Sequence, residues 1–108
     1  MRKFDTGILY TKHTDFFELN GNINMRLSRE AAIDVCKEAT KRGIVIWRWE
    51  GGIWHNPEFE ARIDAIWDGP DWLKNIESIE ENNQLAITCL EEEQEEYGAF
   101  LITLMPSN

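Results

Sequence analysis

WRWEGGIWHNPEFEARIDAIW, from Trp47 to Trp67, is the stretch that decides how this chain folds. It holds four of the five tryptophans, and apolar and charged residues alternate in its second half. The β-branched and aromatic run 44–49 predicts a strand. Gly51-Gly52 accepts the positive φ of a tight hairpin turn, which predicts that Ile53 and Trp54 begin a return strand. Pro57 would interrupt that strand, because proline cannot donate to a ladder.

The run from Phe59 to Asp68 alternates cleanly and predicts a half-buried strand. The residues predicted to face the core are Phe59, Ala61, Ile63, Ala65 and Trp67. Those predicted to face water are Glu60, Arg62, Asp64 and Asp68. Ala99–Leu104 is apolar on both faces, which is typical of a central strand.

Two helices are predicted from helical spacing of apolar residues. The first begins after Ser28, a favourable N-cap, and ends at Gly43. The second begins at Asn82 or Asn83, after a mixed connection over 71–80 with one short helical turn. Its last turns carry a glutamate cluster, defined as Glu91, Glu92, Glu93, Glu95 and Glu96. Acids at a helix C-terminus oppose the macrodipole, so this charge either serves a partner or is simply solvated.

The order of elements predicts an α+β fold with an antiparallel sheet of about four strands and two helices packed on one face. Residues 1–24 are interpreted as an N-terminal extension, either a leader or an added pair of strands over 8–10 and 16–19. Residues 25–108 are predicted to form the folded domain.

Charge limits what the protein can bind. Twenty acidic and eleven basic residues give a formal charge of -9 and a pI near 4.6. Phosphate repels such a surface, so direct nucleic-acid binding is not expected, whereas basic partners are attracted. No apolar segment resembles a signal peptide or a membrane span, which predicts a cytoplasmic protein. Cys36 and Cys89 lie on helical apolar stripes and are expected to be free thiols.

The sequence offers no cofactor motif and no metal-ligand spacing. An enzyme would have to use His55 with Asp64 or Asp68, and we do not expect one. A small ligand-binding or regulatory module, with an aromatic pocket between helix and sheet, is a second alternative.

A protein-binding surface fits the residues better, because acids and tryptophans are interleaved. Aromatic rings beside carboxylates can imitate RNA, with rings in place of bases and acids in place of phosphates. Trp47 and Trp67 are predicted to be core residues. The predicted binding residues are Trp49, Glu50, Trp54, Glu58, Glu60, Asp64, Asp68 and Asp71.

An ordered set of motifs resembles the immunity proteins of colicin E-five. The first is LSREAAIDVCKEATKRG, residues 27–43, followed by an acid before Gly51-Gly52. Further matches are Trp54, Asn56-Pro57, Phe59, Arg62-Ile63-Asp64 and Trp67, then ENNQLAI at 81–87 and AFLITL at 99–104. The resemblance spans about Met25 to Met105. Residues 1–24 have no counterpart in it, and the stretch after Trp67 differs.

The resemblance implies an inhibitor rather than an enzyme. Colicin E-five is a bacterial toxin whose C-terminal domain is a ribonuclease that cuts anticodon loops of transfer RNAs. Its immunity protein fills the RNA-binding cleft of that domain. For this chain the resemblance implies a 1:1 complex with a cognate colicin ribonuclease domain, no cofactor, and no direct contact with nucleic acid or membrane.

Overall fold

A computed structural model describes residues 3–69 and 79–106 of the chain. In chain order the elements are α1 (His13–Glu18), α2 (Arg29–Lys41), β1 (Ile46–Trp54), β2 (Phe59–Asp68), α3 (Ile79–Glu92) and β3 (Ala99–Leu104). The fold is α+β, with one three-stranded antiparallel sheet in the order β2-β1-β3. Within the described residues the sheet has one strand fewer than predicted, and there is one more helix.

The missing strand is explained by Gly51-Gly52, which does not turn the chain. β1 runs through both glycines, and the hairpin turn lies at 55–58 instead. The glycines are required by close packing: a Cβ on Gly51 would lie 2.7 Å from the Phe100 ring, and one on Gly52 would lie 2.1 Å from the Glu60 carbonyl oxygen. Two predicted strands are therefore one, and the prediction of a turn here was wrong.

A second correction concerns Trp47, which was predicted to be a core residue. Trp49 is 2% exposed, whereas Trp47 is 39% exposed. The pairing of β1 with β3 shifts between Ile46 and Arg48, so β1 contains a bulge at Trp47. The extra residue in a bulge reverses the alternation beyond it. Ile46 and Trp49 therefore both enter the core, and Trp47 does not.

β2 has the predicted bounds but not the predicted alternation. Ala65 is buried and Trp67 is half-buried, as expected. Ala61 and Ile63 are exposed, and Ile63 reaches 91%. The register between β1 and β2 jumps from Glu50↔Ile66 to Gly52↔Ala61, so residues 62–65 lie in an irregular segment. That irregularity, which local sequence does not encode, turns Ile63 outward.

Helix α2 confirms its prediction in detail. The Ser28 hydroxyl oxygen accepts from the Ala31 N–H at 3.1 Å, which makes Ser28 the N-cap. Gly43 adopts φ +71°, the left-handed conformation that follows many helix ends. The buried residues of this helix are Ala31, Ala32, Val35, Cys36 and Ala39.

Helix α3 already includes Ile79, so Asn82 and Asn83 do not cap it. Both side chains are buried and bind the start of β1 instead. Asn83 accepts from the Ile46 N–H at 2.9 Å and donates to the Ile44 carbonyl at 2.9 Å. Asn82 donates to the Ile46 carbonyl at 2.9 Å. The predicted helical turn within the connection 71–80 falls mainly on 71–78, which lie outside the described residues.

The two long helices cover the same face of the sheet. Trp49 donates its indole N–H to the Ala86 carbonyl of α3, and its ring packs edge-on against Phe100 of β3 at 5.5 Å. The Arg29 guanidinium of α2 lies over the Phe100 ring, 5.2 Å from the ring centroid. The core thus lies between this helix-covered face and helices α2 and α3.

The N-terminal extension packs on this core. α1 replaces the strand considered over residues 16–19, and it places Phe16 at 1% exposure. Residues 22–27 run along the outer edge of β3. Leu27 and Phe100 exchange both backbone hydrogen bonds, Ile23 donates to the Ile102 carbonyl, and the Asn22 side chain accepts from the Leu104 N–H. The β3 edge of the sheet is therefore closed.

Candidate functional site

The predicted binding residues do not share one face; they divide around strand β2. Register places Asp68 and Ile66 beside Arg48 and Glu50 on the sheet face that none of the described helices covers, called here the open face. Glu60 pairs with Ile53, which alternation assigns to the other face. The free edge of β2 lies between the two sets.

On the open face, Arg48 links the two predicted acids. Its guanidinium donates to Asp68 at 2.9 Å and to Glu50 at 3.1 Å. Trp47, Arg48, Asp68 and Thr103 line a shallow cavity of about 300 Å³ beside them. Sequence reasoning did not single out Arg48, because its contact with Asp68 depends on the register between β1 and β2. Two carboxylates share one cation here, so the cluster keeps one negative charge.

On the opposite side of β2, a second polar group reaches Tyr97 through Arg62 and Asp64. The Glu60 carboxylate contacts His55 and Arg62, both at 2.7 Å. The His55 hydrogen bond, with help from Arg62, lowers the pKa of the exposed Glu60 carboxyl. The Tyr97 hydroxyl donates to the Asp64 carboxylate and lies 3.1 and 3.2 Å from its two oxygens. Tyr97 directly follows the glutamate cluster in sequence, so it connects Asp64 with that cluster.

The glutamate cluster has a structural counterpart that the sequence did not reveal. Arg29 donates to four backbone carbonyls at the end of α3, those of Leu90, Glu93, Gln94 and Tyr97. Leu90 lies in the last turn of the helix, whose carbonyls lack intrahelical partners, and Glu93, Gln94 and Tyr97 lie in the segment that follows it. The guanidinium charge also opposes the negative end of the helix dipole, where the glutamates lie. Arg29 thereby offsets part of the electrostatic cost of placing the glutamate cluster at this helix end. The glutamate cluster therefore lies beside a basic residue of the fold and is not only solvated charge.

Several predicted roles change in this geometry. Trp49 fills the core, so its ring is not available to a partner, and its assignment as a binding residue was wrong. Trp54 is half-buried and Glu58 is exposed at the hairpin turn. Asp71 lies outside the described residues. Ile63, which the alternation pattern predicted to face the core, is the most exposed large apolar side chain among the described residues.

The alternatives to a binding surface find less support in the geometry. The His55 ring contacts Glu60 rather than Asp64 or Asp68. Burial raises the pKa of Cys36 to about 12, which leaves that thiol protonated. Trp49 and Phe100 fill the space between sheet and helices, where the second alternative needs an aromatic pocket. Within residues 3–69 and 79–106, no three His, Cys, Asp or Glu side chains come together as a metal site.

Comparison with known proteins identifies the family of this acidic chain. Residues 25–105 match the protein family described as "Colicin-E5 Imm protein". The chain belongs to the colicin E5 immunity-protein family. It is 46% identical over 94 residues to "Immunity protein CdiI" of Burkholderia pseudomallei, covering 87% of this chain and 86% of the relative. It is 46% identical over 83 residues to "Colicin-E5 immunity protein" of Escherichia coli, covering 74% of this chain and 98% of the relative.

These matches confirm the family that the sequence motifs indicated. The relatives are named as immunity proteins, and none of the names describes a catalytic activity. A match of 94 residues in a chain of 108 has to begin at or before residue 15, so the B. pseudomallei relative shares at least part of the extension. Among the helices that the structure describes, none combines the length and the apolar character needed to cross a membrane.

Proposed function

We propose that this immunity protein binds the ribonuclease domain of a cognate toxin in a 1:1 complex and keeps transfer RNA out of its cleft. It would act in the cytoplasm of the cell that makes it. The residues proposed to bind the toxin are Glu50, Trp54, Glu58, Glu60, Asp64 and Asp68, with Asp71 beyond the described part. Their carboxylates would take the places of RNA phosphates, while Trp54 offers a ring in place of a base.

One observation carries the proposal: in a member of an immunity-protein family, acids on both sides of β2 surround exposed apolar residues. Asp68 has a side chain that is 65% exposed, and Ile63 and Ile66 are also exposed. A charged rim around an apolar centre is the usual anatomy of a protein–protein interface. The net charge of -9 would speed encounter with a basic ribonuclease.

The acids of β2 are expected to govern association. Asp64→Asn and Asp68→Asn together should lower the association rate with a colicin E5-type ribonuclease domain by about tenfold at low salt. The wild-type rate should fall steeply as salt rises, since exposed charges are screened over about 8 Å at physiological ionic strength. Stopped-flow binding and cleavage of transfer RNA by the ribonuclease measure both effects.

The matched control for this test lies on α2, on the other side of the molecule. Asp34→Asn with Glu38→Gln changes the net charge equally, and should alter the rate by less than about twofold because it leaves the β2 surface intact. A third variant, Glu95→Gln with Glu96→Gln, asks whether the glutamate cluster also contacts the toxin. Equal slowing by the β2 and α2 variants would show that only total charge matters and would contradict the proposed surface.

We also propose that residues 25–108 carry the immunity function, while the extension before them supports the fold. Removing residues 1–24 exposes the surface covered by Phe16 and Leu19 and uncovers the part of the β3 edge that Asn22 and Ile23 cover, while Leu27 stays paired with Phe100. The truncated chain should therefore lose about 3 kcal/mol of its free energy of unfolding while still protecting transfer RNA. Urea unfolding and the cleavage assay test the two parts separately; loss of protection by a folded truncated chain would contradict this division.

A further inference from the structure

The two edges of the sheet differ in a way that the proposed function does not explain. The β3 edge is closed by residues 22–27, as described above. No backbone hydrogen bond joins β2 to any part of 3–69 or 79–106 other than β1. The exposure of Ala61, Ile63, Ile66 and Asp68 shows that this edge is open to solvent.

In an antiparallel pair, alternate residues direct their backbone N–H and C=O toward the partner strand. The observed hydrogen bonds therefore show which backbone groups of β2 point away from β1. Gly69 donates to the Trp47 carbonyl, so residues 69 and 67 face β1, and Ile66 and Asp68 face away. At the other end His55 donates to the Glu58 carbonyl. Residues 58 and 60 therefore face β1, while Phe59 and Ala61 face away. Both halves of β2 thus present unpaired N–H and C=O groups to a neighbouring strand.

We propose that the free edge of β2 is where the toxin docks, by adding one of its own basic extended segments as a fourth strand of the sheet. The inference rests on the proposed function and specifies its mode of contact. Strand addition gives affinity through the backbone and specificity through alternate side chains. It is also the arrangement that engages both divided acid sets at once, since Asp68 lies on one side of the edge and Glu60 and Asp64 on the other.

Charge distinguishes this occupant from a second copy of the same chain. The edge carries four carboxylates and one guanidinium: Glu58, Glu60, Asp64, Asp68 and Arg62. Two such edges would repel each other, which is how edge strands are commonly protected from self-pairing. Protection alone does not account for Ile63, which is 91% exposed in the middle of the edge. A fully exposed isoleucine between acids suits a partner that brings cations together with apolar area.

The test uses Ala61, whose N–H points away from β1. Proline there removes the outward donor without removing a hydrogen bond of the fold, because that N–H is not bonded to β1. Edge strands accept proline at such positions. Ala61→Val keeps the N–H and adds comparable bulk. The probes are the ribonuclease domain of colicin E5 and the toxin domain countered by the B. pseudomallei relative. Ala61→Pro should weaken binding by about 30-fold or more, and Ala61→Val by less than about threefold.

Amide hydrogen exchange followed by NMR gives a second readout that does not depend on a variant folding. In the wild-type complex the amides of Ala61, Ile66 and Asp68 should exchange at least about 100-fold more slowly than in the free protein. Unchanged exchange at these amides, equal binding by Ala61→Pro and wild type, or equal weakening by both variants would overturn the inference. Protection of the same amides in the free protein, through self-association, would overturn it too. Failure of the wild type to bind either toxin would instead contradict the proposed function.

Discussion

The Gly52→Ala variant is expected to lose more than about 4 kcal/mol of its free energy of unfolding, enough to unfold most small domains in part. The added Cβ would lie 2.1 Å from the Glu60 carbonyl oxygen and 2.9 Å from its carbon. Both atoms belong to the backbone of β2, so the clash can be relieved only by separating the two strands. Circular dichroism and urea unfolding measure the loss.

Gly98→Ala is the matched control for this variant. A Cβ at Gly98 meets nothing within 4 Å, and Gly98 is not among the residues with positive φ. Its free energy of unfolding should stay within about 1 kcal/mol of wild type. A Gly52→Ala protein that unfolds at the same urea concentration as Gly98→Ala would show that β1 and β2 are not packed this closely.

The Arg29→Met variant should have the second largest effect, a loss of about 3 kcal/mol and roughly 15 °C in Tm. Methionine retains much of the apolar side-chain contact but removes the guanidinium donor from four carbonyls in and just after the last turn of α3. It also removes the positive charge beside the glutamate cluster and the contact with Phe100. Thermal unfolding followed by circular dichroism measures the shift.

Two further variants separate the contributions of Arg29. Arg29→Lys keeps the charge but cannot reach four carbonyls, so it should fall between methionine and wild type. Neutralising Glu91 and Glu92 in the Arg29→Met background should restore part of the lost Tm, because the repulsion from the helix dipole is then smaller. If Arg29→Met melts with wild type, the guanidinium is not what stabilises this helix end.

Local signals in the sequence predicted the elements whose boundaries are set by residues close to them in sequence. Ser28 caps α2 as expected, and β2 and β3 occupy the predicted ranges. Backbone capping and alternating hydrophobicity act over a few residues, so they are readable from one chain. The family, too, could be recognised from motifs spread over the domain.

The remaining features depend on contacts between distant residues. Gly51-Gly52 has the composition of a turn, but its glycines are needed where Phe100 and the Glu60 carbonyl approach β1. The bulge at Trp47 decides that Trp49 is buried, and a bulge has no signature in the local pattern here. In the candidate site, the acids of β2 were predicted, but their division between two faces follows from the register of β1 with β2.

The closed β3 edge has a consequence for how the protein behaves when crowded. Growth of a fibril by strand addition requires two accepting edges on every chain, because each added molecule must offer a new template. With residues 22–27 occupying one side, any association of this kind ends after a single addition. The protein can therefore reach a high concentration without forming fibrils by strand addition, while the free edge of β2 stays available to one partner strand.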